Sequence, residues 1–320
     1  MASDNSGLAV HDAVTLAEQG KTLGIRYLSS RQGCPRVLGE LEEAINALRI
    51  ANEYLPRNDP TKSECLNGLG ICMRHRFMRL GDFADLVEAI TSQEQAVRLT
   101  PDDHPHKPAR LCNLGVSLQY RFERLGDVAD LNEMIKGEQE AVQLASDPDK
   151  PQHLNHLGES LQSRFERLGD VADLDEAITA QQQAIHLTPD GHPDKPEHLD
   201  TLRSSFLHRF QCVGSITDLD EAISAQQRAI RLTPNGHPHE LGYLNNRGVA
   251  FQCRFERLGN VADLAETITA QQQVVTLSHG SRTVAWEVTH RDEGARKGRR
   301  RRRVRDARNE NAVNTIIRRI

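Results

Sequence analysis

From Gln152 to Leu168 the residues Leu154, Leu157, Leu161, Phe165 and Leu168 fall three or four positions apart, with Gly158 among them. On a helix of about 3.6 residues per turn that spacing gathers them into one apolar stripe, so the segment is predicted to be an amphipathic helix, here helix A. Gly169 ends it. A second stripe of Leu174, Ala177, Ile178, Ala184 and Ile185 predicts helix B, which finishes near Leu187. Thr188-Pro189-Asp190-Gly191 and Pro193 supply turn chemistry, and Pro196 suits the first turn of the next helix A.

The same phrase returns along most of the chain. Arg-Phe pairs stand at Arg76-Phe77, Arg121-Phe122, Arg164-Phe165, Arg209-Phe210 and Arg254-Phe255, at intervals of 45, 43, 45 and 45 residues. One helical hairpin cannot bury its apolar face alone, so a period of this length means stacked copies sharing a continuous core. Each pair is followed by an aspartate with a glutamate three residues on, at Asp85/Glu88, Asp130/Glu133, Asp173/Glu176, Asp218/Glu221 and, in the last, Asp263/Glu266. That spacing reads as an aspartate version of the capping box, and places the helix B starts at or within two residues of these aspartates. Ala44 and Ala51, Ala89 and Ala96, Ala177 and Ala184, and Ala222 and Ala229 sit seven apart on one face, where small side chains let the partner helix approach closely. Twelve helices in six antiparallel pairs are expected between about residues 8 and 278, preceded by a short tail over 1–7 and followed by a basic, poorly ordered tail over 279–320.

Leu-Gly on helix A (Leu69-Gly70, Leu114-Gly115, Leu157-Gly158), then the alanine pair, then a proline five residues beyond it (Pro56, Pro101, Pro189, Pro234), resembles the tetratricopeptide repeat (TPR). Both turns and helix A are longer than in the usual repeat of about 34 residues. Copies reading Arg-Phe-Glu-Arg-Leu-Gly-Asp and Leu-Thr-Pro-Asp-Gly-His-Pro-Asp-Lys-Pro are similar to long-repeat fungal arrays that often precede a caspase-like CHAT protease domain. The resemblance implies an all-α, right-handed α-solenoid of about six repeats and a non-enzymatic scaffold that binds a protein or peptide segment, with no cofactor. It also implies ligand contacts on the concave side of helix A. By that register they are Asn67, Arg74, Gln119, Asn155, Glu159, Gln162, Asp200, Ser204, Asn245 and Gln252. The set is rich in amides and carries no run of lysines, which does not suit the family's clamp for C-terminal carboxylates. A truncated or regulatory form of a CHAT-type protease is the rival reading, and it would need a further domain carrying His and Cys.

The copies are unequal. The one around Met134 is two residues short and ends at Ala145-Ser146-Asp147 without the proline, while the last has Thr267, Val274 and Arg247 where Ala, Ala and Leu are expected. Charge is unequal too. The net charge of −5 combines 12 basic and 4 acidic residues from Arg291 to Ile320 (+8) with a remainder of −13 over residues 1 to 290. An acidic array is poorly suited to nucleic acid, because each phosphate contact needs a cation. Only the tract Arg296, Lys297, Arg299, Arg300, Arg301, Arg302, Arg303 and Arg305 fits nucleic-acid binding or nuclear targeting; otherwise a cytoplasmic protein is expected. No secretory leader pattern opens the sequence, no apolar run reaches the roughly 18 residues of a membrane span, and the six cysteines make no Cys-x-x-Cys pair.

Candidate chemistry is sparse. Gly20-Lys21-Thr22 lacks the first glycine of a phosphate-binding loop and falls inside the first helix A. His104, His192 and His237 recur in the loops between repeats, which stand about 10 Å apart, so they cannot share one ion and no metal site is expected. Cys34, Cys65, Cys72, Cys112, Cys212 and Cys253 have no base of known placement, so no nucleophile is assigned. The arginine of each Arg-Phe pair is expected to cover the helix end and pair weakly with surface acids such as Glu166 or Asp170.

Overall fold

The computed structural model describes residues 5–29, 35–146 and 148–290. Among them are twelve helices and no strand: α1 (Asn5–Ser29), α2 (Pro35–Tyr54), α3 (Pro60–Leu80), α4 (Phe83–Leu99), α5 (Lys107–Leu125), α6 (Val128–Leu144), α7 (Lys150–Leu168), α8 (Val171–Leu187), α9 (Lys195–Val213), α10 (Ile216–Leu232), α11 (Glu240–Leu258) and α12 (Val261–His290). Odd-numbered helices are the A members and even-numbered ones the B members of six hairpins. Each helix packs most heavily on its hairpin partner, and each helix B packs next on the helix A that follows it. The chain is an all-α solenoid of TPR-like repeats.

The fourth hairpin shows how the sequence makes one unit. Helix α7 ends where Gly169 adopts φ 75°, a left-handed conformation that lets its N–H bond the Phe165 carbonyl at 2.7 Å. One residue later Asp170 opens α8, its carboxylate accepting from the Ala172 N–H at 3.0 Å. Turn and cap are therefore two consecutive residues, which is why the hairpin is tight. Leu154, Leu157, Leu161, Leu174, Ala177, Ala184 and Ile185 form the buried seam, as the stripes predict. Gly158 makes the crossing close: a Cβ there would meet the Gln181 Cγ at 2.6 Å, and one on Gly70 would meet the Ala89 carbonyl at 2.9 Å.

The aspartates read as caps turn out to have another task. The caps are Asp82, Asp127, Asp170 and Asn260, whose side chains accept from the second backbone N–H of the helix. Asp85, Asp130, Asp173, Asp218 and Asp263 lie on the third helical residue, within two residues of the helix start, and are buried. Their partners are the arginines of the Arg-Phe pairs: Arg76, Arg164, Arg209 and Arg254 each reach their aspartate at 2.6 Å, and Arg121 does so at 2.5 Å. These are charge-assisted contacts to buried carboxylates, stronger than the expected surface pairs. Four of the five arginines also reach back to helix B of the preceding repeat, to Glu42, Asn132, Asp175 and Asp220.

Lysines at the start of helix A close the turns. Lys107 Nζ donates to the Val97 and Thr100 carbonyls, and Lys195 Nζ to the Thr188 carbonyl at 2.6 Å, satisfying the orphan ends of the preceding helix B. The loop histidines serve the same turns: His104, His192 and His237 each accept at Nδ1 from the backbone N–H two residues on. Gly20-Lys21-Thr22 lies within α1, where Gly20 packs against Leu48.

The last helix does not stop at Leu277, where the repeat phrase ends, but continues to His290. Residues 1–4, Cys34 and the arginine tract 296–305 lie outside the described residues. No helix among the described residues is long and apolar enough to cross a membrane.

Candidate functional site

Successive A helices touch one another, α1 with α3, α3 with α5, α5 with α7 and α7 with α9, whereas successive B helices make no comparable backbone approach. In a curved stack the elements that crowd together lie on the inside. The A helices therefore form the inner wall, and the ten residues assigned to it sort into three groups.

Two of the ten are not free to meet a ligand. Arg74 is buried and its guanidinium donates to the Asn113 carbonyl at 3.0 Å, joining α3 to α5. Burial there lowers its pKa. Asn155 is 1% exposed, accepting from Thr201 at 2.6 Å and donating to Glu159 at 2.9 Å. Both were placed outward from a single-helix register; the neighbouring A helix comes close enough to cover them.

A second group stitches the wall while keeping an open edge. Asn67 accepts from Asn113, Asp200 accepts from Asn246 at 2.9 Å, and Gln162 donates to Ser204 at 3.2 Å while accepting from Ser205. These are ladder contacts between the A helices of adjacent repeats, each offset by one to three positions from strict equivalence.

The third group, Gln119, Glu159, Asn245 and Gln252, is exposed. Gln119, Gln162 and Gln252 each donate to the glutamate four residues on, Glu123, Glu166 and Glu256. Those glutamates directly follow the Arg-Phe pairs of the third, fourth and sixth copies, with Met78 and Gln211 at the same position in the second and fifth, so acidic positions recur along the wall with gaps. Between α7 and α9 the wall opens into a cleft of 220 Å³ lined by Glu159, Gln162, Asp200, Thr201, Arg203 and Ser204. Arg203 occupies the position that is Gly158 one repeat earlier, and its Nε holds Asp200 at 2.9 Å. Four of the ten expected residues thus meet in one place, and Arg203 and Thr201 complete it.

A larger groove of 1170 Å³ lies along the loop edge, lined by Pro105, Pro148, Pro151, His106, His153 and His192 among others. Helix α6 ends at Leu144 and α7 begins at Lys150, against Leu187 and Lys195 in the next repeat, so the shorter connection leaves a trough between its neighbours.

No protein-family model matches the chain, and no curated protein matches it either. Solved structures do. The PilF protein of Pseudomonas aeruginosa is similar over 88% of this chain and 99% of its own, with a TM-score of 0.53 and 14% sequence identity. A TPR protein of Thermus thermophilus covers 72% of this chain and 98% of its own (TM-score 0.46, 18% identity). YrrB, described as a TPR protein with an unusual peptide-binding site, covers 62% of this chain and 81% of its own (TM-score 0.42, 16% identity). At these identities the likeness concerns the fold.

Proposed function

We propose that the chain is a non-enzymatic scaffold whose inner helix A wall holds an extended peptide segment of a partner protein, centred on the α7–α9 cleft. The observation that carries this reading is the alternation along the wall of amides and solvent-exposed carboxylates, each carboxylate accepting from an amide four residues before it. Amides such as Gln162 suit a peptide backbone, because they can both donate and accept. Glu123, Glu159, Glu166 and Glu256 favour basic side chains on that peptide and disfavour acidic tails or phosphodiester backbones.

A displayed library of extended peptides, panned on the full chain, supplies the probe. Selected peptides should be enriched in Lys or Arg, and Glu159→Gln together with Ser204→Ala should weaken their binding at least tenfold without moving the melting temperature. The reading fails if the selected peptides ignore both substitutions but are lost on replacing His106 and His192 in the loop-edge groove.

A further inference from the structure

Aligning the repeats by their helix ends shows that the third and fourth copies break pattern at three positions. Where Asn67, Asn155, Asp200 and Asn245 stand in the other copies, the third has Cys112. Where Gln93, Gln181, Gln226 and Gln271 stand, it has Glu138. Where Gly68, Asn113, Thr201 and Asn246 stand, the fourth has His156. These three substitutions lie on α5, α6 and α7, and the fold brings them together.

The Cys112 Sγ is 3.2 Å from His156 Nδ1, and the ligand atoms of Cys112, His153 and His156 all lie within 4.8 Å of one another. His153 precedes His156 by three residues, so one face of α7 presents both imidazoles. Glu138 is 4% exposed, with Oε2 3.5 Å from His153 Nδ1. Neither of those two buried atoms has a hydrogen bond. Gly115 lies beside the carboxylate, where a Cβ would stand 3.4 Å from Glu138 Oε1, an ordinary contact distance. A buried carboxylate oxygen left without a hydrogen bond is costly unless a cation compensates it.

We propose that Cys112, His153 and His156, with the Glu138 carboxylate beside them, bind one divalent transition-metal ion of the zinc type across the junction of the third and fourth repeats. Thiolate and imidazole donors select such an ion over magnesium or calcium, and Cys112 and Glu138 as anions would neutralise its charge. Zinc–ligand bonds of about 2.0 to 2.3 Å place ligand atoms roughly 3.3 to 3.6 Å apart, so the widest gap must close by at most about 1.5 Å, within reach of side-chain rotation. Gln152 Nε2 lies 2.8 Å from His156 Nε2, and with its amide turned over it would accept the proton of that nitrogen and orient the ring. His153 also lines the loop-edge groove, which gives an ion a route in. Without a metal, burial and the nearby Glu138 charge push the Cys112 thiol up to about 12. Coordination would ionise it, forming the metal–sulfur bond and releasing the thiol proton to solvent. The ion would fasten α5 and α6 to α7 where the connecting loop is two residues shorter than those of the repeats on either side.

The test is metal titration of the chelator-treated full chain, with Zn(II) and separately with Co(II) as a visible substitute. One equivalent should bind, the cobalt form should show thiolate charge-transfer and tetrahedral d–d absorption, and zinc should raise the melting temperature. Cys112→Asn, His156→Asn and Glu138→Gln each restore a residue found at that position in other repeats, so the fold should tolerate them. Each should weaken zinc binding at least tenfold, with Cys112→Asn also abolishing the charge-transfer band, while Cys212→Ser changes nothing. A folded wild-type chain that binds no stoichiometric metal would overturn the proposal. So would a charge-transfer band that survives Cys112→Asn.

Discussion

The α7–α8 hairpin and the α11–α12 hairpin are built from nearly the same phrase, yet their helix B residues live in different surroundings. Ile178 and Ile185 are 4% and 7% exposed; their counterparts Ile268 and Val275 are 46% and 48% exposed. Gln181 is buried against Gly158, whereas Gln271 faces outward. The difference is the next repeat: α9 covers α8, and no described helix covers α12. The contacts that do not change are those inside one hairpin, since Arg254 and Asp263 meet at the same 2.6 Å as Arg164 and Asp173. Stability in this array therefore divides into a part each unit carries and a part each interface adds.

Truncating interface residues tests that division most severely. Ile178→Ala, at a site 4% exposed, should cost about 2 to 5 kcal/mol, as should Leu161→Ala inside the hairpin, while Ile268→Ala, the counterpart of Ile178, should cost under about 1 kcal/mol. Chemical denaturation measures both, and hydrogen exchange adds the local view: amides from Leu264 to Leu277 should exchange well before those from Leu174 to Leu187. Equal protection of the two segments would mean that something beyond the described residues covers α12.

The unit term is probed by Asp173→Asn against Asp263→Asn. Each leaves an arginine without its buried carboxylate and should cost about 2 kcal/mol, below the usual loss for a fully buried pair because the arginine side chains are about a quarter exposed. Similar losses at the two ends would confirm that the pair belongs to the hairpin; a much smaller loss at Asp263 would move it into the interface.

A pH series separates the regions again. Burial pushes the His198 imidazole, 2% exposed and beside Thr188, down to about 4 from an ordinary 6.5. Between those values the unfolded chain binds the proton and the folded chain does not, so stability must fall as pH drops from about 6.5 to 4. The loss from this residue should be about 2 to 3 kcal/mol. His198→Gln should flatten that limb of the acid melting curve. The last repeat has Tyr243 at the equivalent position and adds nothing to it.

The smallest expected effect is Gln162→Ala. Its bonds to Ser204, Ser205 and Glu166 are partly solvated, so thermal melting should register under about 0.5 kcal/mol. A loss comparable to Leu161→Ala would make the wall structural rather than receptive.

Periodicity alone reveals the hairpins, because stripes, stop glycines and alanine pairs repeat in register. It misassigns the second aspartate of Gly-Asp-Val-Ala-Asp, since Asp-x-x-Glu looks like a capping box until Gly169 is seen to deliver the chain straight to Asp170. The inner wall is legible only in outline. Helix register tells which residues leave one helix, but Arg74 and Asn155 are covered by the next helix, a contact that a single repeat does not encode. Arg203 escapes notice because it stands where the pattern asks for glycine. The Cys112, Glu138 and His156 cluster is hidden for the same reason: it becomes visible only when departures, rather than agreements, are superposed.

The two-handed arginine has an evolutionary consequence. Arg164 and Arg209 each grip an acid nine residues ahead and reach one helix back, to Asn132 and Asp175 respectively, although the intervening connections differ by two residues. Phase between neighbours is thus kept by a side chain and not by loop length. The fourth and fifth copies each bring both a grip for the predecessor and a handle for the successor, whereas Val87 stands at the handle position behind Arg121. A gene segment encoding one copy could be duplicated, deleted or trimmed in its linker and still splice into the array, so chain length is free to drift while the helical pitch stays constant.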